Sequence, residues 1–308
     1  KHTRLRTLVS KAFNRSQIER LAPRIDAIIV ELLNNCEEKN EFDLLADFAE
    51  PLPVRVIAEL LGISKKDEHH LRPWSQAIVK MYEFEVTPEE ESQAEIASRE
   101  FAAMITDMVN VRKKNPTDDL VSELAQVEDS GEKLTLRELI ATCVLLLNAG
   151  HEASVNAFGN GFVASINDEN ASSLLRTQPR VISETAVEEF LRFDAPLQLF
   201  ERTALADTEI GGVTIKTGQK IAALLGSANR DEKVFNDASS IDLTRNPNNH
   251  IAFGGGIHFC LGAPLARLEM NRSLPALFEK FPAISIIKEP IQRQSFVLRG
   301  YLEISVSA

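Results

Sequence analysis

Cys260 lies in the run Phe253-Gly254-Gly255-Gly256-Ile257-His258-Phe259-Cys260-Leu261-Gly262, followed by Ala263-Pro264-Leu265-Ala266-Arg267-Leu268-Glu269. Three consecutive glycines permit a tight turn and a close approach of backbone to a flat partner. Pro264 suits the first turn of a helix, which puts the sulfur at that helix's N-terminal mouth. Free backbone N–H groups and the positive helix end favour a thiolate there. Held by a rigid turn, such a thiolate can act as an axial ligand that pushes electron density onto iron. Two other readings compete. A lone cysteine is most often a buried structural thiol, and a thiol nucleophile could use His258 as its base. No third group orients His258, which weighs against the nucleophile.

Other pairs carry chemistry less specifically. Glu189-Phe190-Leu191-Arg192 places an acid and a base three residues apart, a routine arrangement on helix surfaces that Glu269-Met270-Asn271-Arg272 repeats. The first copy stands out by its apolar helix and by the Phe193-Asp194-Ala195-Pro196 break after it. His2 and Arg6 share one side of the first helix. In Ala149-Gly150-His151-Glu152-Ala153-Ser154, a mid-helix glycine costs up to about 1 kcal/mol and wants a reason. Glu152, a carboxylate in an apolar helix centre, suits proton transfer if water reaches it.

The spacing Phe253-x-x-Gly256-x-His258-x-Cys260-x-Gly262 resembles the haem-binding signature of the cytochrome P450 family in its soluble bacterial form. The resemblance runs from Lys1 to Ala308 and lacks the family's N-terminal portion, so one P450 domain over 1–308 is expected. It implies haem b (iron protoporphyrin IX) with Cys260 as the iron ligand and with Phe253, Gly256 and Gly262 around the cofactor. Matching residues imply that His2, Arg6, Arg202 and His258 hold the haem propionates, where a guanidinium suits a carboxylate. They also imply that Glu189 and Arg192 pair with Arg245 in a buried structural cluster.

On the oxygen side, the resemblance implies that Ala149 and Gly150 shape a groove for dioxygen and water beside the haem, and that Glu152 relays protons. The alcohol expected after the acid is missing, because that position is Ala153. Ser154 follows, but one residue turns it by about 100° around the helix. Three explanations stay open: a substrate hydroxyl or ordered water completes the relay, Ser154 reaches by local distortion, or proton delivery is poor and peroxide leaks. The first is the expectation. Leu197, Gln198, Leu199, Phe200, Phe296 and Val297 are expected to line a pocket for a mostly hydrophobic small organic substrate. The implied reaction inserts one atom of O2, with electrons from a ferredoxin-type donor and its reductase. The alternatives are a non-catalytic haem-binding or sensor protein, which Ala153 favours, and a peroxide-driven oxygenase.

The elements that must position these residues are mainly α with a minor β portion. Apolar spacing predicts a helix through Leu5–Phe13, and Ser16 with Glu19 forms a capping-box pattern before a second. A third helix is expected from near Pro53 to Gly62, another opening at Ser64 and Asp67, and a charged one over Pro88–Lys114. Thr135 and Glu138 form a second capping-box pattern ahead of Leu136–Ile166, a proline-free stretch on the order of 45 Å long. Its middle is apolar on every face, so it should cross the core beside the haem. A helix near Val181–Arg192, glycine-punctuated hairpins around 211–218, an irregular 231–249 and a helix over Pro264–Phe278 complete the chain.

The whole-chain numbers exclude several classes. A net charge of −11 over 308 residues opposes nucleic-acid binding. No apolar run approaches the roughly 20 residues needed to span a membrane. Cys36, Cys143 and Cys260 are far apart and odd in number, which opposes a disulfide scaffold or zinc site and points to a reduced, intracellular setting, expected to be cytoplasmic; a monomer is expected as well. Lys1, Arg4, Arg6, Lys11, Arg15, Arg20 and Arg24 outnumber Glu19 in the first helical region, a basic face that by family resemblance meets the acidic electron donor.

Overall fold

The computed structural model describes residues 2–82, 85–129 and 131–308. Its helices are α1 (His2–Ala12), α2 (Arg15–Glu37), α3 (Pro51–Leu61), α4 (Leu71–Val79), α5 (Pro88–Arg112), α6 (Leu120–Gln126), α7 (Leu136–Ile166), α8 (Glu169–Thr177), α9 (Pro179–Phe193), α10 (Leu225–Ala228) and α11 (Ala263–Lys280). Strands are short and peripheral: β1 (Glu41–Asp43), β2 (Glu128–Asp129), β3 (Glu132–Lys133), β4 (Leu199–Thr203), β5 (Thr208–Ile210), β6 (Val213–Ile215), β7 (Lys220–Leu224), β8 (Ser285–Ile286), β9 (Ile291–Gln292), β10 (Tyr301–Glu303) and β11 (Ser305–Ser307). The sheet β1-β11-β8 joins a strand near the start to the last residues, and β4 pairs antiparallel with β7.

The helix α7 begins where its sequence says it should. The Thr135 hydroxyl accepts from the Glu138 N–H at 3.2 Å, and the Glu138 carboxylate accepts from the Thr135 N–H at 2.9 Å. Those two bonds satisfy donors that a helix start otherwise leaves unpaired. From there α7 runs 31 residues through the core and buries Leu147, His151, Glu152, Phe158 and Phe162. It packs against α3, α4, α5 and α9. Gly161 makes the α9 approach possible, because a Cβ there would overlap the Phe190 ring.

Three local expectations need correction. Ser16 and Glu19 do not cap α2: Asn14 does, its side chain accepting from the Ser16 and Gln17 N–H groups, while Glu19 pairs with Arg15 at 2.7 Å. An asparagine two residues earlier starts the helix at Arg15, so Ser16 already lies inside it and cannot be its cap. Ser64 and Asp67 open a 3-10 turn over Glu68–His70, and the α-helix starts only at Leu71. The basic face is also largely neutralised. Arg4 pairs with Glu132 and Glu138, Arg20 with Asp118, and Arg24 with Glu59, acids that folding brings in from elsewhere. Lys1, counted in that face, lies outside the described residues.

Two substitutions separate capping from packing. Thr135→Ala should cost about 1 kcal/mol in a urea unfolding curve. Gly161→Ala should cost more, since α7 and α9 must part to admit a methyl group.

Candidate active site

The cysteine loop is folded by its own backbone. The Cys260 N–H donates to the Phe253 carbonyl at 2.9 Å, and Phe259 N–H to Gly256 O at 3.0 Å. Gly254 and Gly256 have φ of +70° and +62°, so both need glycine. A Cβ at Gly254, Gly255 or Gly256 would meet nothing within 4 Å, which leaves one side of the loop open to a planar group. The Gly262 and Ala263 N–H groups at the mouth of α11 face the sulfur and favour its charged form. Burial pushes the thiol up nonetheless; those N–H groups, Arg6 and Arg267 only oppose it. The helix-mouth N–H groups act in the direction the sequence implies, toward the thiolate, while desolvation acts against them.

Side chains behind the loop hold it. Arg267 lies 4.6 Å over the Phe253 ring and donates to both Glu188 oxygens at 2.6 and 2.8 Å. His250 Nε2 meets the same carboxylate at 2.9 Å. Burial raises the Glu188 carboxyl, but the bonds from Arg267 and His250 win and hold it at about 2.

The fold brings together the residues proposed for anion contact. The His2 and His258 rings meet with centroids 4.4 Å apart and planes tilted by 50°, and Arg6 donates to the Phe259 carbonyl at 2.7 Å. Burial first, then the charges of His2, Arg202 and Arg6, lower the His258 imidazole, so these cationic groups lie close enough to feel one another. Among the described residues, none of these four pairs with a carboxylate in the chain.

Glu189 and Arg192 are completely buried, and Arg192 grips both Glu189 oxygens at 2.7 Å. Arg245 adds a contact at 3.2 Å, and the Asp242 N–H and the Asn248 amide satisfy the remaining positions. Glu269 and Arg272, the second copy of the pattern, do not pair. Arg272 turns outward to Asp26, and Glu269 is buried without a hydrogen bond, its carboxyl pushed up to about 8 by burial.

On the opposite side, Glu152 accepts from Arg293 Nη1 at 2.8 Å. Ser154 points elsewhere, into a small cavity shared with Phe158, Glu269 and Ser273. The two groups expected to share proton delivery are therefore separated by the helix. Ala149 is exposed on the same helix. Gly150 has a packing reason, since a Cβ there would stand 2.8 Å from Ile57 Cδ1 of α3.

The substrate candidates divide. Leu197 bridges to Leu298, and the Gln198 N–H donates to the Val297 carbonyl at 3.1 Å, so both segments meet. Phe296 is exposed, and Phe200 packs under Arg202. Gln198 and Leu199 are turned inward instead: the Gln198 amide donates to the Ala195 carbonyl at 2.6 Å and its oxygen crowds Gly226, while Leu199 is buried. Within β4, Leu199 faces inward and Phe200, the next residue, faces the other way.

The Cytochrome P450 family profile matches residues 178–299. The chain is 41% identical over 296 residues to the putative cytochrome P450 YjiB of Bacillus subtilis, covering 93% of this chain and 73% of that protein. It is 40% identical over 303 residues to 6-deoxyerythronolide B hydroxylase of Saccharopolyspora erythraea, covering 97% and 74%. This chain belongs to the cytochrome P450 family. Its fold superposes on the solved structure of the Bacillus subtilis bacillaene polyketide synthase P450 PksS with a TM-score of 0.93, at 39% identity, covering 99% of this chain and 78% of that one. The protein is accordingly a haem b monooxygenase that uses O2. Among its described residues no helix is long and apolar enough to cross a membrane.

The geometry of this P450 fits that cofactor. A single thiol aimed from a glycine loop, an open flank and four donors without carboxylate partners suit a flat, dianionic, metal-bearing group. Sequence reasoning missed Arg293, Arg267 and Glu188, and it read Glu269 only as a routine partner for Arg272.

Because the Glu188 carboxyl falls from 4.5 to about 2 on folding, its contribution is complete above pH 4.5 and disappears as pH falls toward 2. Glu188→Gln should therefore lower stability at pH 7 by up to about 3 kcal/mol and flatten its pH dependence below 4.5, read by urea titrations.

Proposed function

We propose that this P450 hydroxylates a mostly hydrophobic small organic substrate, with Cys260 as the thiolate that would hold the haem iron. The observation that carries the reading is a half-buried sulfur facing the Gly262 and Ala263 N–H groups at a helix mouth, beside four donors that, among the described residues, no carboxylate neutralises. His2, Arg6, Arg202 and His258 then hold the two propionates, and Phe253, Gly256 and Gly262 set the loop against the ring. When bound, the haem supplies the redox chemistry that oxidises the substrate.

The chain's own residues do the rest. Arg267 and Glu188 fix the loop from behind, and Glu189, Arg192 and Arg245 fix the segment leading into it. Glu152 accepts and releases protons at Oε1, while Arg293 occupies Oε2 and keeps the carboxylate in place. Ser154 and Glu269 lie on the far side of α7, so a hydroxyl from the substrate or from ordered water takes the part that Ala153 cannot. A relative named for hydroxylating 6-deoxyerythronolide B supports an organic substrate of appreciable size. Leu197, Phe200, Phe296 and Val297 contact it, whereas Gln198 and Leu199 support them.

The reading includes a single P450 domain, a monomeric state, a cytoplasmic setting and a ferredoxin-type electron donor. Free cysteines at 36, 143 and 260 support the reduced setting. The internally paired arginines of α1 and α2 make donor docking depend less on charge than the sequence suggested.

In haem-loaded protein, the reduced carbon monoxide complex should show the red-shifted Soret band of a thiolate ligand, and Cys260→Ala should abolish it; an unaltered band overturns the assignment. Ala153→Thr should leave the coupling of reductant to product within about twofold, whereas a large gain would count against a substrate-supplied hydroxyl. Turnover with peroxide alone would point to the peroxide-driven variant.

A further inference from the structure

We propose that His151 is the proton-transfer residue that connects Glu152 to the protein surface, with Glu50 as the outer station. The proposal rests on the reading of Glu152 given above. His151 is completely buried in α7. Its Nδ1 lies 4.0 Å from Glu152 Oε1 and 3.4 Å from the Ser75 hydroxyl of α4. Its Nε2 lies 3.9 Å from Glu50 Oε1 and has no hydrogen-bond partner among the described residues. The imidazole thus stands between two carboxylates, one in the helix centre and one beside α3.

Glu50 is itself buried, but its oxygens accept from Arg72 and, at 2.7 Å, from Gln76. Arg72 is half-buried and Gln76 exposed, so the chain of contacts ends in solvent. A structural histidine in the core normally satisfies both ring nitrogens. Here each long contact exceeds hydrogen-bond length by about 1 Å, and a small rotation of the ring closes one or the other.

Charge and chemistry leave His151 as the conductor. Glu152 has two ionisable neighbours among the described residues, Arg293 and His151. A guanidinium does not release its proton in a protein, so Arg293 and Arg72 can hold carboxylates but not pass protons. The groups facing His151 are Glu152 from its own helix, Glu50, Arg72 and Ser75 from α4, and Arg293 from the C-terminal segment. Burial lowers the imidazole to about 4, with Arg72 and Arg293 helping and Glu50 opposing, so the ring stays neutral near pH 7. A neutral ring gives its Nδ1 proton to Glu152 Oε1 and takes one at Nε2 from Glu50, which surface water reprotonates. One proton enters and one leaves, and a turn of the ring restores the tautomer.

The test uses full-length, haem-loaded protein and the variants Glu152→Gln, His151→Gln and Glu50→Gln. The expectation is at least a fivefold loss of coupling in all three and a larger solvent deuterium effect on turnover. Substrate affinity and melting temperature should stay near wild type in His151→Gln and Glu50→Gln. Loss in Glu152→Gln with wild-type behaviour in the other two overturns the path and leaves the role of Glu152 standing. Wild-type coupling in Glu152→Gln overturns both. Independently of turnover, nitrogen-15 spectra of the reduced carbon monoxide form should place His151 titration well below that of an exposed histidine. Arg72→Gln should move it upward, and no movement overturns the contact.

Discussion

The arrangement depends most on one buried carboxylate. Glu189 is removed from water and accepts from Arg192, Arg245, the Asn248 amide and the Asp242 backbone. Leaving such a charge with a missing partner costs several kcal/mol, so the set behaves as a unit. Arg192 also donates to the carbonyls of Asn229, Ala238 and Ser240. In this way α9 fastens a long stretch of irregular chain that has no ladder of its own. The cysteine loop starts immediately after that stretch, and its position is inherited from these bonds.

A second constraint comes from α7, which must be apolar enough to cross the core yet carry ionisable groups at its centre. The two demands are met by geometry around the helix axis. Glu152 and His151 look toward α3, α4 and the Arg293 segment, while Ser154 looks toward α11 and the buried Glu269. Residues adjacent in sequence therefore belong to two separate polar regions.

What could be read from sequence follows from how local each signal is. The start of α7 was legible because both halves of its capping box lie within four residues, and the cysteine loop because its glycines and sulfur are contiguous. The Glu189–Arg192 pair was visible, and Arg245 came only from resemblance. Arg293 was not legible, since it lies 141 residues from Glu152 and nothing nearby marks it. Ser16 with Glu19 shows the opposite failure: a valid local pattern displaced by Asn14, an equally good cap two residues earlier. The basic face misled for a related reason, because the acids that neutralise it come from other elements.

The sheet β1-β11-β8 has a consequence for how the protein is made. Phe42 sits opposite Val306, and the Leu44 N–H donates to the Ile304 carbonyl at 2.9 Å. During synthesis the strand at 41–43 emerges early and waits for partners more than 260 residues downstream, so this seam can close only after the ribosome has delivered residues 301–307.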